Sequence, residues 1–349
     1  MVNLDLKKII DSNGSLSLSR YINYCLYKRS IGYYQKKKIG TDFTTSPEIS
    51  QMFGECISFF FLIIRNNLKI SGVCELGPGN GTLAKDLIRT ISRFSKFKLN
   101  FFLYEKTSYL REIQKKILID SHKSKVNILS IKKLKQIKEP VFFICNEFFD
   151  ALPVNQYIKK NEKWYEKRVV IVDNKLKLIE KEKKKIETCR KKKYKNGDVI
   201  EISPLTKLYL KSIFKHIKNF GGGLLLFDYG PLIKNNVDTI QAIRNSRKSN
   251  FLKHPFESDI TYHVDFKMIK NLANKYQLFV YGPIEQKKFL FFNGINERFF
   301  QLSKLNNRSS SKKERLKNEF ERLVDPNGMG KLLKCMFICH KEIKLDAFI

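Results

Sequence analysis

Twelve residues, Val73-Cys74-Glu75-Leu76-Gly77-Pro78-Gly79-Asn80-Gly81-Thr82-Leu83-Ala84, constrain the fold of this chain more than any others. A short apolar strand runs into E-x-G-x-G-x-G and then into a helix. Closely spaced glycines let the backbone turn sharply and approach a ligand, and the helix that follows offers the amides of its first turn. A side chain at Gly77 or Gly79 would fill that space. A dinucleotide site also uses a glycine turn, but its spacing is G-x-G-x-x-G and a pyrophosphate lies on the helix start. Here the third glycine comes one residue earlier and an acid, Glu75, precedes the turn. S-adenosylmethionine has no phosphate and carries an ammonium and a sulfonium, so a carboxylate at the strand end suits it and would repel a pyrophosphate. The expected cofactor is therefore S-adenosylmethionine, held at Glu75, Gly77, Pro78, Gly79 and Gly81. The bland alternative is a glycine turn that serves close packing alone.

The run Leu99-Asn100-Phe101-Phe102-Leu103-Tyr104-Glu105 reads as the next strand. An acid at its end is placed to accept both ribose hydroxyls, which makes Glu105 the second cofactor candidate. Otherwise Glu105 is an ordinary solvated acid. Around these two strands the pattern alternates: strand 72–76, helix 82–93, strand 99–105, helix 108–118, a short strand near 126–129 and strand 140–145. Such alternation predicts an α/β fold with a doubly wound, Rossmann-like parallel sheet.

Helical stretches Leu4–Ile10 and Leu18–Lys28 come first, and a helix is expected from Ser46-Pro47-Glu48 to about Asn66, with Ser46 as N-cap. Residues 1–70 read as an N-terminal helical cap. After Pro153, strand-like runs at 154–159, 164–172 and 175–179 predict an antiparallel β insertion over 154–197, with Lys181–Lys195 as a solvated basic loop. The core is expected at 71–153 and 198–349, resuming with helix 204–218 and strand 223–227. A long polar connection then leads to helix 265–275, strand 277–281, helices near 295–304 and 311–323 within a helical insertion at about 284–328, and a last strand 331–339.

Lys+Arg 67 against Asp+Glu 34 gives a formal charge of +33 in 349 residues. A polyanion partner is one reading. The excess is mostly Lys, spread over the whole chain among abundant Ile, Asn and Phe, as an AT-rich genome produces, whereas a nucleic-acid surface concentrates Arg and aromatics on one face. Nucleic acid is accordingly not an expected partner. The 7 cysteines form no C-x-x-C pair, and several sit in apolar runs, so a reducing compartment is expected, with neither disulfides nor a metal site. The apolar run Phe59–Ile64 falls far short of the ~20 residues that a membrane helix needs. Met1–Ser19 shows no targeting pattern. The expected location is the cytoplasm, with no membrane insertion.

Asn146-Glu147-Phe148-Phe149-Asp150-Ala151-Leu152-Pro153 follows the apolar strand Val141–Cys145. In an open α/β sheet ligands bind beyond the carboxyl ends of the strands, so these side chains face the same crevice as the glycine turn. Glu147 and Asp150 there suit a cationic nucleophile, and a guanidinium meets a carboxylate bidentately. Capping of local turns is the alternative for both. Methyl transfer asks mainly for in-line positioning, exclusion of water and electrostatic handling of the nucleophile. A guanidinium nitrogen that attacks must still release a proton, and His263 is a candidate acceptor, unless it is simply structural.

The motifs together resemble the MidA-type class I methyltransferases. They occur in order: Gly32-Tyr33-Tyr34, Asp42–Glu55, Glu75–Leu83, Asn146–Pro153, Asp228-Tyr229-Gly230, Asp259–Phe266, Gly282–Gln286 and Met329-Gly330. Mitochondrial members of that family are complex I assembly factors that methylate an arginine of a core subunit. The resemblance implies a class I fold and cofactor contacts at Gly77, Gly79, Gly81 and Glu105. It implies a covering segment Thr44–Glu48 that brings Thr45, Pro47 and Glu48 to the cofactor, and a substrate mouth at Asn146 and Glu147. Only one acid directly follows the fourth strand here, with Asp150 next, and Thr44, His263 and the Lys-rich insertion depart from the family pattern. The implied partner is a protein substrate, a complex I core subunit, with self-association into a homodimer left open and the mitochondrial matrix as the location if a transit peptide is missing from this chain. Competing readings are a methyltransferase for RNA or a small molecule, and a non-catalytic assembly chaperone that binds the cofactor for stability.

Overall fold

Short apolar runs separated by amphipathic segments build one seven-stranded sheet, seen here in a computed structural model that describes residues 3–36, 42–95, 97–119, 126–186, 194–233, 235–304 and 310–348. Its strands are β1 (Gly72–Leu76), β2 (Leu99–Tyr104), β3 (Val126–Ile131), β4 (Val141–Asn146), β5 (Gly222–Tyr229), β6 (Phe279–Glu285) and β7 (Leu333–Cys339). Their order is β6-β7-β5-β4-β1-β2-β3. Neighbours among β1 to β5 are parallel, and β7 is antiparallel to both β5 and β6. Every residue of β1 and β7 is buried, which is why, apart from Glu75 and Lys334, they read as apolar runs rather than as an alternation.

The strand order reverses between β1 and β4, the place where an open sheet of this kind forms a crevice. Register sets the rim of that crevice. Leu76 lies opposite Tyr104 on one side and Cys145 on the other, and Asn146 lies opposite Phe227. Gly77, Glu105, Glu147 and Asp228 therefore leave or end the sheet at nearly one level.

The helix Gln51–Leu68 buries Phe53, Phe60 and Phe61, and Phe60 is ringed by Phe142, Phe289, Phe337 and Phe348 at centroid distances of 5.1–6.2 Å. Truncating such a ring to Ala costs about 3–5 kcal/mol. The helix Thr82–Phe94 presents Leu83, Leu87, Ile88 and Ile91 to the core, the spacing of one helical face. One acid joins three helices: Glu55, 9 % exposed, accepts from Arg298 Nε at 2.7 Å, Arg298 Nη2 at 2.9 Å and Arg89 Nη2 at 2.9 Å. Arg89 lies on Thr82–Phe94 and Arg298 on Ile295–Ser303.

The chain forms two compact units, and this sheet belongs to the one made of residues 38–150, 209–234 and 263–349. The other comprises residues 1–37, 151–208 and 235–262. Its strands Asn155–Lys160, Lys163–Val172, Lys175–Glu182 and Val199–Ile202 pair antiparallel, joined by Leu16–Ser17. The helices Leu4–Asn13 and Leu18–Tyr27 go with this unit, not with Gln51–Leu68. Two distant sequence motifs meet within it, where Tyr34 Oη donates to Asp259 Oδ1 at 2.6 Å.

Several expected elements differ in detail. The helix begun at Ser46 is two helices, Ser46–Ile49 and Gln51–Leu68, because Ser50 is extended and caps the second with its hydroxyl toward the Met52 amide. Thr45, not Ser46, is the N-cap of the first. The polar connection after β5 contains three short strands, Gln241–Arg244, Arg247–Ser249 and Asp259–Thr261. Within the stretch read as a helical insertion, a helix at Gln286–Phe292 precedes the two placed near 295–304 and 311–323. Of the basic loop 181–195, Lys181 and Glu182 extend a strand, and residues 187–193 lie outside those described. Six cysteines are buried and free, and burial pushes their thiols up. No helix among the described residues is long and apolar enough to cross a membrane.

Candidate active site

Gly77, Gly79 and Gly81 take φ of +64°, +54° and +88°, the left-handed region that a side chain disfavours. The turn is pinned at both ends: the Gly77 amide donates to Tyr104 O at 3.0 Å, and the Gly81 amide to Pro78 O at 2.8 Å. Gln114 Nε2 donates to Gly79 O at 2.8 Å from the helix Ser108–Leu118. Gly81 is the N-cap of Thr82–Phe94, so the first amides of that helix face the crevice.

Glu75 ends up 3 % exposed, and its Oε2 has no hydrogen-bond partner among the described residues. Burial, then the nearby Glu105 carboxylate, pushes its carboxyl up to about 8, against the pull of the Ala84 amide. A buried acid in that state is completed by a cation. Glu105, 8 % exposed, is also raised by burial, while Thr107 holds its Oε1 through the amide and the hydroxyl, each at 2.8 Å. The residues thus fit S-adenosylmethionine: a turn with glycine at every second position, an uncompensated acid for its positive groups, and a second, oriented acid one strand away.

The segment expected to cover the cofactor reaches the turn. Glu48 Oε1 accepts from Asn80 Nδ2 at 3.0 Å and from Thr82 Oγ1 at 2.7 Å. Thr45 and Pro47 are buried beside it in sequence.

Beyond β4 the backbone turns abruptly. Glu147 holds φ at +48° and donates its amide to Phe227 O at 2.8 Å. A non-glycine residue in that region stores strain of about 1–3 kcal/mol and is held there by its surroundings. Its Oε1 accepts from the Ser46 amide at 3.3 Å and from Asn146 Nδ2 at 3.1 Å. Asp150 is 3 % exposed. Tyr229, at the end of β5, has its phenol raised by burial and then by the charges of Glu147, Asp150 and Asp228. His263 precedes Val264, whose amide donates to Tyr229 O at 2.8 Å, so it enters the same edge of the sheet. All thirteen residues expected at the site, Glu75, Gly77, Pro78, Gly79, Gly81, Glu105, Thr45, Pro47, Glu48, Asn146, Glu147, Asp150 and His263, lie in one compact unit.

Three further contributors carry weak local signals. Asp228 is fully buried and accepts from the Phe149 amide at 2.9 Å and the Tyr229 amide at 3.1 Å, and burial pushes its carboxyl up to about 7. It clamps the loop that carries Glu147. Phe148 lies on the glycine turn, where a Cβ at Gly77 would come 2.7 Å from its Cδ2, and its ring meets Tyr209 at 5.2 Å. Gln286, 0 % exposed, accepts from Ser46 Oγ at 3.1 Å and donates to Leu323 O at 3.0 Å. Asp228 and Gln286 stand in quoted motifs, yet nothing in their neighbours tells which partners the fold brings.

A parallel-rich sheet with one antiparallel strand beside its last parallel one, and an acid–glycine turn at its switch point, defines a class I S-adenosylmethionine-dependent methyltransferase. Residues 60–284 match the family model described as "Putative S-adenosyl-L-methionine-dependent methyltransferase", and the chain belongs to that family, the MidA-type methyltransferases. It is 30 % identical over 322 residues to the mitochondrial protein arginine methyltransferase NDUFAF7 homolog of Caenorhabditis elegans, covering 83 % of this chain and 75 % of the relative. The Homo sapiens protein arginine methyltransferase NDUFAF7 is 28 % identical over 352 residues, 92 % of this chain and 79 % of that one. Among solved structures, a protein of Burkholderia thailandensis bound to S-adenosyl-homocysteine superposes with a TM-score of 0.85 at 22 % identity, covering 99 % of this chain and 93 % of the other.

Proposed function

We propose that the enzyme methylates a guanidinium nitrogen of an arginine in a protein substrate, a core subunit of respiratory complex I. The observation that carries this reading is the Glu147 carboxylate, held in a strained backbone conformation level with the glycine turn and oriented by the Ser46 amide and Asn146. The relatives' names, protein arginine methyltransferase, support the arginine, and the complex I subunit rests on the family resemblance. Bound S-adenosylmethionine supplies an activated methyl group. Glu75 balances its positive charge, Glu105 orients its ribose, and the segment Thr45–Glu48 closes over the turn and keeps water out. Glu147 and Asp150 hold the guanidinium, and desolvation strengthens that grip. Tyr229 stays protonated, since burial and the neighbouring acids hold its phenol up. The proton released on transfer goes to a carboxylate oxygen of the pair or to the His263 imidazole. The compartment follows from the substrate: the cytoplasm in a bacterium, the matrix in a mitochondrion.

The test is incubation of the purified enzyme with S-adenosylmethionine and a complex I core subunit, read by peptide mass spectrometry, alongside Glu147→Gln. Methyl groups on one arginine, lost in the variant while calorimetry shows the cofactor still bound, are expected. A methyl group on RNA or on another side chain, with no arginine modified, would sink the reading. Equal function of Glu147→Gln in complex I assembly would point instead to a holding role without turnover.

A further inference from the structure

A cleft of about 400 Å³ lies between the Thr44–Ile49 segment and one face of the helix Ser310–Val324. Its walls include Thr44 and Glu48 on one side and Glu314, Arg315, Asn318, Glu319 and Arg322 on the other. Glu48 is the residue that also grips Asn80 and Thr82, so the cleft begins where the glycine turn ends.

The helix face carries two parallel stripes. In one, Arg315 Nε donates to Glu319 Oε1 at 2.9 Å, an i,i+4 pair that satisfies itself. The other is Glu314, Asn318 and Arg322, also at i,i+4 spacing, and among the described residues neither Glu314 nor Arg322 has an ion-pair or hydrogen-bond partner. A helix that buries Leu316 and Leu323 thus turns an acid, an amide and a cation toward the cleft in that order. The Arg322 end is the catalytic end: Leu323 O is bound to Gln286, Gln286 to Ser46, and the Ser46 amide to Glu147. Arg322 also acts electrostatically on Tyr229.

We infer that this cleft binds the substrate polypeptide beside the methyl-accepting residue and selects it by charge order, an acidic residue next to the acceptor and a basic residue further along. Arg322 takes the acid, Asn318 the main chain between, and Glu314 the base. Eight residues of helix separate Glu314 from Arg322 by about 12 Å at ~1.5 Å per residue, which an extended peptide spans in about three or four residues. This inference rests on the proposed protein substrate.

The test is fluorescence anisotropy with labelled synthetic peptides and the enzyme saturated with S-adenosylhomocysteine. One peptide has Asp beside a single Arg and Lys four residues further, the other has Asp and Lys exchanged, and both are made in the two chain directions. Exposed charge pairs contribute modestly, so the first peptide should bind about three- to tenfold more tightly. The double variant Glu314→Lys/Arg322→Glu, checked for unchanged S-adenosylhomocysteine affinity, should reverse the preference. Equal binding of the two peptides, no binding of either, or an unreversed preference in the double variant would overturn the inference. Because anisotropy detects no methyl transfer, a wrong acceptor residue would fail in the turnover assay while the charge preference in binding stood.

Discussion

The Phe148 ring occupies the space that a Cβ on Gly77 would need, at 2.7 Å from Cδ2. Packing and backbone act together here, since Gly77 also holds φ at +64°. The glycine is required by what crosses above it as well as by the ligand that the turn receives.

Gly77→Ala should therefore cost stability twice, about 1–2 kcal/mol for the left-handed backbone and more for displacing the ring. Thermal unfolding should show a lowered midpoint, and calorimetry a loss of S-adenosylmethionine affinity of about tenfold or more, as the turn shifts. Adding Phe148→Ala should recover part of the midpoint but not the φ component. Full recovery would mean that the backbone carries no strain. Gly79→Val, at φ +54°, should abolish cofactor binding.

Glu75 ties cofactor affinity and stability to pH. Its carboxyl titrates near 8 in the folded protein, above the usual carboxylate range. Between those values the folded state holds a proton that the unfolded state has lost, so the stability of the cofactor-free protein should fall as pH rises, by at most about 1.4 kcal/mol per pH unit from this group. A bound cation favours the ionised form, so S-adenosylmethionine affinity should rise over the same window. Glu75→Gln should flatten both profiles. Parallel denaturation and calorimetry from pH 5.5 to 7.5 would decide it, and an affinity independent of pH in the native sequence would remove Glu75 from the site.

Arg298→Ala should loosen the helical insertion. It removes two of the four side-chain bonds to the nearly buried Glu55 and leaves that acid with Arg89 and Gln51. Since both arginines are partly exposed, the expected loss is about 1–3 kcal/mol rather than the full cost of a buried unpaired charge. Urea unfolding measures it, and Glu55→Gln should give a loss of similar size. A change below a few tenths would show the cluster to be superficial.

Gln286→Leu should act on turnover more than on the cofactor. It leaves Ser46 Oγ and Leu323 O without their partner and frees Ser46, whose amide orients Glu147. A buried group left unpaired costs about 1–3 kcal/mol. Turnover should drop about tenfold or more with S-adenosylmethionine affinity kept, and Gln286→Glu, which keeps the acceptor but loses the donor, should be intermediate. Equal losses in affinity and turnover would signal general unfolding.

The glycine turn and the strand–helix alternation around it were legible because local sequence decides them: φ above zero calls for glycine, and fully buried strands write themselves as apolar runs. Glu147 was legible for the same reason, as a polar residue placed directly after such a run. The break at Ser50 was hidden, since Ser46-Pro47 and the apolar periodicity beyond it read as one continuous helix. The strands at 241–261 are three or four residues long, too short for a period to register. Apart from the adjacent Tyr229 amide, Asp228 and Gln286 act through partners 37 to 240 residues away, so their roles depend on the completed fold.

Asp228 grips the loop after β4 by a peptide amide, so that bond would survive a change of side chain at 149, while the Phe148 and Phe149 rings hold the loop a second time, by packing. Two holds of different kinds, one polar and one apolar, leave Glu147 little room to wander from the crevice even when one of them is weakened.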